Sequence, residues 1–236
     1  ITQEKFLSLL IAIAAIILGK NFGDTDYPSL IFSEHTFGML SLAFVTLSLG
    51  LIANKNFLLS CFIVVTLFAV HPIIGFWMIG LYTLGFYICD NFYQNRRAII
   101  YGCLIGLMLV ILSFVFFYFN SIDKVEFNQN LFKIYLDKWD GHRIISKNIH
   151  YEYLIKTFIL GFLGFIFFKD VNEKRNSNPH IIILLIGLVA SSFFYLTFKL
   201  FPNFFPDLFK IIMPSRFIML HTFLGWPLLI SFLFYL

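Results

Sequence analysis

The chain has 236 residues, 59% of them hydrophobic and 13% charged, where a soluble domain carries about 25% charged residues. That composition excludes an ordinary water-solvated domain and makes lipid the expected main solvent. The net charge of +4 is spread over loops, which excludes a nucleic-acid-binding stripe and fits solvated anchors at a membrane edge.

A bilayer core is crossed by about 20 apolar residues in a helix, with a range of about 17 to 25. Residues 6–19 give a first, slightly short span, followed by a polar link holding Lys20, Asp24, Asp26, Glu34 and His35. Residues 36–53 give a second, closed by the polar turn Asn54-Lys55-Asn56. From 57 to 89 no formal charge occurs apart from what His71 carries. One straight helix of that length would measure about 50 Å, well beyond the core. His71-Pro72 lies near its middle, and proline removes a donor and disfavours helix at the preceding residue. Two short spans, 57–70 and 73–89, therefore meet at that point; one kinked, tilted helix is the alternative.

The basic turn DNFYQNRR leads to a span at 98–119, which carries Gly102-x-x-x-Gly106, a helix-contact signal. The loop at 120–153 is the longest polar interruption and holds ten of the 30 charged residues. Within it, 128–139 places Leu131, Phe132, Tyr135, Leu136 and Trp139 at helical spacing, with Lys133, Asp137 and Lys138 between them. That pattern describes an amphipathic helix lying in the interface. Spans at 154–168, 180–197 and 217–236 complete the series, and the alternating strand pattern of an outer-membrane barrel is missing. The expected fold is an all-α polytopic transmembrane bundle of about eight spans, some short or broken, with one interfacial helix. It forms a single domain, 1–236, and reads as a segment of a longer protein because an apolar run is cut at Leu236.

Counting crossings places Lys5, Lys55, Arg96, Arg97, Lys169, Lys174 and Arg175 in the short loops of one side. By the positive-inside rule that side is cytoplasmic, and the loop at 120–153 faces the opposite way. His35, His71, His142, His150 and His221 gather at this extracytoplasmic face with Asp24, Asp26, Glu34, Asp137, Asp140, Glu152 and Arg216. Ionisable groups near membrane depth are costly and by default mark a functional site.

Asp24 and Asp26 are two acceptor-only carboxylates two residues apart, suited to a hard divalent cation such as Mg or Mn, or to placing one carboxylate as a base. Their bland reading is a polar turn shaped by Gly23 and Pro28. In Asp137-Lys138-Trp139-Asp140-Gly141-His142-Arg143, arginine offers a planar fork for an oxyanion and histidine shuttles protons near neutral pH. The plain alternative is a solvated loop of mixed charge. His71 reads as a site residue or a satisfied buried histidine, and Arg216 as a site cation or a snorkelling anchor. The cysteines at 61, 89 and 103 read as small buried hydrophobes.

On Asp24 and Asp26, the His71-Pro72 break and Trp139-Asp140-Gly141-His142-Arg143, the chain resembles bacterial polytopic glycosyltransferases of the GT-C kind. It is also similar to multi-spanning proteins of surface-polysaccharide loci. That resemblance implies an enzyme of the bacterial inner membrane, an extracytoplasmic site, a polyprenyl-phosphate sugar donor and a divalent metal. It implies a base or metal ligand among Asp24 and Asp26. The candidate catalytic residues are Asp24, Asp26, Asp140, His142 and Arg143, with His71, Trp139, His150 and Arg216 binding substrate. The competing readings are a transporter or flippase of an anionic lipid or glycan, and a non-catalytic subunit of a membrane complex. A transporter calls for broken helices in matching places of two repeats, and one break with no second copy argues against it.

Overall fold

The computed structural model describes residues 37–89, 91–120, 128–138 and 179–201, together with isolated positions at 6, 9, 10, 13, 155, 156, 158, 159, 161–163, 204 and 205. Among them there is no strand, so the expected all-helical class is observed. The main helices are α1 (Phe37–Ala53), α2 (Phe57–Val70), α3 (Pro72–Ile88), α4 (Asn91–Asn120), α5 (Gln129–Lys138) and α6 (Pro179–Leu200).

The expected count of about eight spans is not supported. Among the described residues, two helices are long and apolar enough to cross a bilayer, Tyr93–Asn120 and Pro179–Phe198. The 14 residues of α2 rise only about 21 Å at 1.5 Å per residue, short of an apolar core of about 30 Å. The 17-residue helices α1 and α3 reach about 26 Å on the same rise.

Local chemistry explains the boundaries between α1, α2 and α3. Lys55 has φ 59°, the left-handed conformation that ends many helices. Its N–H donates to Ile52 O at 2.8 Å and the N–H of Asn56 donates to Leu51 O at 2.8 Å, the paired bonds of a Schellman stop. Asn56 then caps α2, its side chain accepting from Leu59 N at 3.3 Å. At the next break the expected pair of short helices is present. His71 ends α2 through its N–H to Leu67 O at 2.8 Å, and Pro72 opens α3 where its missing donor costs nothing.

The basic stretch before 98 is not a turn. It lies inside α4, which starts at Asn91 and is kinked at Asn95 (φ −117°, ψ 17°), where two helical stretches meet. Arg and Gln are good helix formers, so charge alone does not end a helix there. The amphipathic helix is present as α5, capped by Asn128, whose side chain accepts from Asn130 N at 3.0 Å and Leu131 N at 3.2 Å.

α2 is the centre of the packing, with α1, α3 and α4 laid against it, while α6 packs on α3. The α2–α4 crossing uses the predicted glycine pair. A Cβ at Gly102 would overlap the carbonyl oxygen of Leu58, and one at Gly106 would stand 2.8 Å from Val65 Cβ and 3.0 Å from Phe62 O. Backbone therefore meets backbone, the role small residues play between membrane helices. Leu67, Met78, Ile52, Ile183 and Val45 lie at the buried centre.

Candidate functional site

Of the residues expected to carry chemistry, His71 is the one placed among the described residues. Asp24, Asp26, Trp139, Asp140, His142, Arg143, His150 and Arg216 lie outside them, as does the expected metal pair. The described residues contain no group of three His, Cys, Asp or Glu side chains positioned to hold a metal ion.

His71 is buried, 7% exposed, with extended backbone (φ −148°, ψ 92°) between two helices. Its Nδ1 accepts the N–H of Ile74 at 3.4 Å, satisfying one of the orphan donors at the start of α3. Gly75, one turn on, lets α3 close on α2, since a Cβ there would stand 2.5 Å from Phe68 Cα. The cap and the close approach give His71 a structural duty at the break.

α5 supplies the approach to the expected cluster. Leu131, Ile134 and Tyr135 are exposed apolar side chains on a helix that also carries Lys133, Asp137 and Lys138. A short, capped, two-faced helix of this kind is suited to lie at a membrane surface, and it ends immediately before Trp139.

Two arrangements escaped the sequence. One is a buried polar link across three helices. The Tyr82 hydroxyl donates to Ser48 Oγ at 2.9 Å and lies 3.1 Å from Ser60 Oγ, while Ser60 Oγ donates to the Ser48 carbonyl at 2.7 Å. Ser48 Oγ donates in turn to Val45 O at 2.8 Å. Every donor has an acceptor, as a buried network requires, and the link joins α1, α2 and α3. Its sequence trace is no more than three hydroxyl residues, Ser48, Ser60 and Tyr82, set in separate apolar runs.

The other is an apolar cavity of about 380 Å³ where α3 and α4 splay apart over α2. α2 contributes Cys61, Val64 and Val65; α3 contributes Ile79, Tyr82, Thr83, Phe86 and Tyr87; α4 contributes Tyr93, Ile99 and Cys103. Cys61, Val64 and Ile99 are buried on its floor, whereas Thr83, Tyr87 and Tyr93 are exposed at its mouth. The Cys61 and Cys103 side chains both face this space. The lining is almost wholly apolar, and the volume falls in the range of about 300–1,000 Å³ usual for small-molecule sites. It offers no catalytic group and is shaped to hold hydrocarbon.

No family model, no curated protein and no solved structure matches the chain.

Proposed function

We propose that the chain is an integral membrane protein of the bacterial inner membrane that transfers sugar from a polyprenyl-phosphate carrier at its extracytoplasmic face. The observation that supports this reading is α5. A capped amphipathic helix with exposed Leu131, Ile134 and Tyr135 leads directly into Trp139-Asp140-Gly141-His142-Arg143. It would hold that cluster at headgroup level, where the phosphate of a membrane-borne donor sits. The exposed apolar surface of α4 supports the embedding: only 22% of its apolar window is buried against the protein. In water such a helix would leave a patch far larger than soluble monomers tolerate. The finer expectation of about eight spans belongs to this proposal, with α1, α2 and α3 as short spans beside α4 and α6.

In this reading Arg143 presents a bidentate fork to the leaving phosphate, and His142 gives or takes a proton near neutral pH. Asp140 orients the pair, and Asp24 or Asp26 acts as the base that activates the acceptor. A divalent ion held by Asp24 and Asp26, when bound, would neutralise phosphate charge. Trp139, His150 and Arg216 engage the donor, and His71 shapes the site through the break it caps.

The test is transfer of labelled sugar from a panel of polyprenyl-phosphate sugars by the purified full chain in lipid vesicles. Arg143→Lys keeps the charge but loses the planar fork, so turnover falls by about 10²–10³, the usual loss of one oxyanion donor. Near-normal turnover in both Arg143→Lys and His142→Gln would remove the transferase reading. It would favour a non-catalytic subunit of a membrane complex, whose specific support is the same uncovered surface of α4.

A further inference from the structure

We infer that the cleft between α3 and α4 is a binding site for an anionic glycerophospholipid, with an acyl chain in the cavity and the headgroup phosphate on Arg96 and Arg97. The inference rests on the membrane embedding proposed above and not on the transferase reading. The cavity lies at the end of the bundle away from His71. It is bounded by the start of α2, the end of α3 and the start of α4. His71 joins the other ends of α2 and α3.

Three observations converge on this occupant. The floor is hydrocarbon in character, and the space is large enough for part of a chain rather than for water, which needs two to four polar partners in a cavity. The mouth is flanked by Tyr87 and Tyr93, 78% and 73% exposed, the amphipathic rings that settle at headgroup depth. The third is charge. α4 is kinked at Asn95, so Tyr93 lies before the kink and Arg96 opens the regular helix after it, three residues before Ile99 on the stripe that continues to Cys103. Arg96, Ile99 and Cys103 share a helix face at these spacings, so a cation lies within one turn of the apolar lining. Arg97 lies beside it, and both are exposed. Lys55, also exposed, closes α1 at the same end of α2. Basic side chains over a gap between membrane helices are the pattern that recruits anionic headgroups. A zwitterionic lipid could fill the cavity equally well but gains little from the arginines, so the site selects by headgroup.

The test uses the full chain, purified and delipidated in detergent, with native mass spectrometry titrations of dioleoyl-phosphatidylglycerol, dioleoyl-phosphatidylcholine and a polyprenyl phosphate. One basic side chain beside anionic lipid is worth about five- to sixfold in affinity, so the two together give phosphatidylglycerol a preference of about 30-fold at low salt. Arg96→Gln with Arg97→Gln should abolish that preference while leaving phosphatidylcholine binding in place. Thr83→Trp, at an exposed position on the cavity rim, should weaken both phospholipids at least tenfold. Equal affinity for the two phospholipids in the unmodified chain would overturn the proposal, as would a preference that survives the double arginine variant or binding indifferent to Thr83→Trp. A polyprenyl phosphate that binds tighter than phosphatidylglycerol, with the same dependence on Arg96, Arg97 and Thr83, would overturn the glycerophospholipid assignment and place the carrier here. None of these outcomes bears on Arg143→Lys turnover, so the two proposals fail separately.

Discussion

The α2–α4 crossing makes a sharp prediction, because glycine-to-alanine changes at four helical positions should differ in sign. Alanine is favoured over glycine in a helix interior by about 0.8–1.0 kcal/mol. At Gly50 and Gly80 an added Cβ meets nothing within 4 Å, so each substitution should stabilise by about 0.5–1 kcal/mol, much of that helix preference. At Gly102 the new methyl would overlap the carbonyl oxygen of Leu58 and stand 3.1 Å from Cys61 Cβ. A backbone oxygen inside a helix cannot step aside, so α4 has to lift. Overpacking of this kind costs about 1–3 kcal/mol, so after the helix gain the net loss reaches about 2 kcal/mol. Gly106 should be milder, because its closest approach, 2.8 Å to Val65 Cβ, is a smaller overlap than the one at Gly102. The Gly102→Ala, Gly106→Ala double variant should lose less than the sum, since the first lift also frees the second site. The assay is thermal unfolding in one detergent, followed by circular dichroism. If Gly102→Ala is as stable as Gly50→Ala, α2 and α4 are not in backbone contact and the packing described here is wrong.

Replacing Lys55 with glycine relieves a left-handed residue that bears a side chain, so thermal unfolding should show a gain of about 1 kcal/mol; a loss would mean that the Schellman stop is not formed. In the Ser48–Ser60–Tyr82 link, Tyr82→Phe and either single serine-to-alanine change should each cost about 1 kcal/mol, because the remaining donors keep acceptors. Ser48→Ala with Ser60→Ala strands the Tyr82 hydroxyl, so that pair should cost clearly more than the sum of its singles; additivity would refute the network. Asp24→Asn and Asp26→Asn should each preserve the thermal unfolding profile and lower sugar transfer; full activity in both would reduce that pair to a turn.

What could be read from sequence was the local chemistry. His71-Pro72 announced the α2–α3 break because proline acts on its own residue and the one before it. Asn54-Lys55-Asn56 announced the turn, and Gly102-x-x-x-Gly106 announced a close crossing without naming α2 as the partner. The early start of α4 was missed because Arg96 and Arg97 were read as loop charge, although arginine tolerates helix well and its long stem can carry the charge out to the headgroups. The cavity was not legible at all. It exists because α3 and α4 diverge over α2, a lateral arrangement that periodicity along one helix does not encode. Tyr82 and Ser48, 34 residues apart, are likewise joined only by the fold. His71 was expected to bind substrate, and the structure gives it the cap of α3 as a defined duty. The cluster at Trp139–Arg143 and the acids at 24 and 26 lie outside the described residues, so their chemistry still rests on residue type and spacing.

The central claim is that the chain is embedded in a membrane with the loop at 120–153 outside and the basic start of α4 inside. Its most direct test is thiol labelling in intact cells with a membrane-impermeant reagent, after Cys61, Cys89 and Cys103 have been replaced by alanine. Single cysteines at Ser146 and at Gln94 should then behave oppositely: Ser146→Cys labels in intact cells, whereas Gln94→Cys labels only after the membrane is opened. Equal labelling of the two positions, or the reverse pattern, would contradict the embedding and the shared outward face.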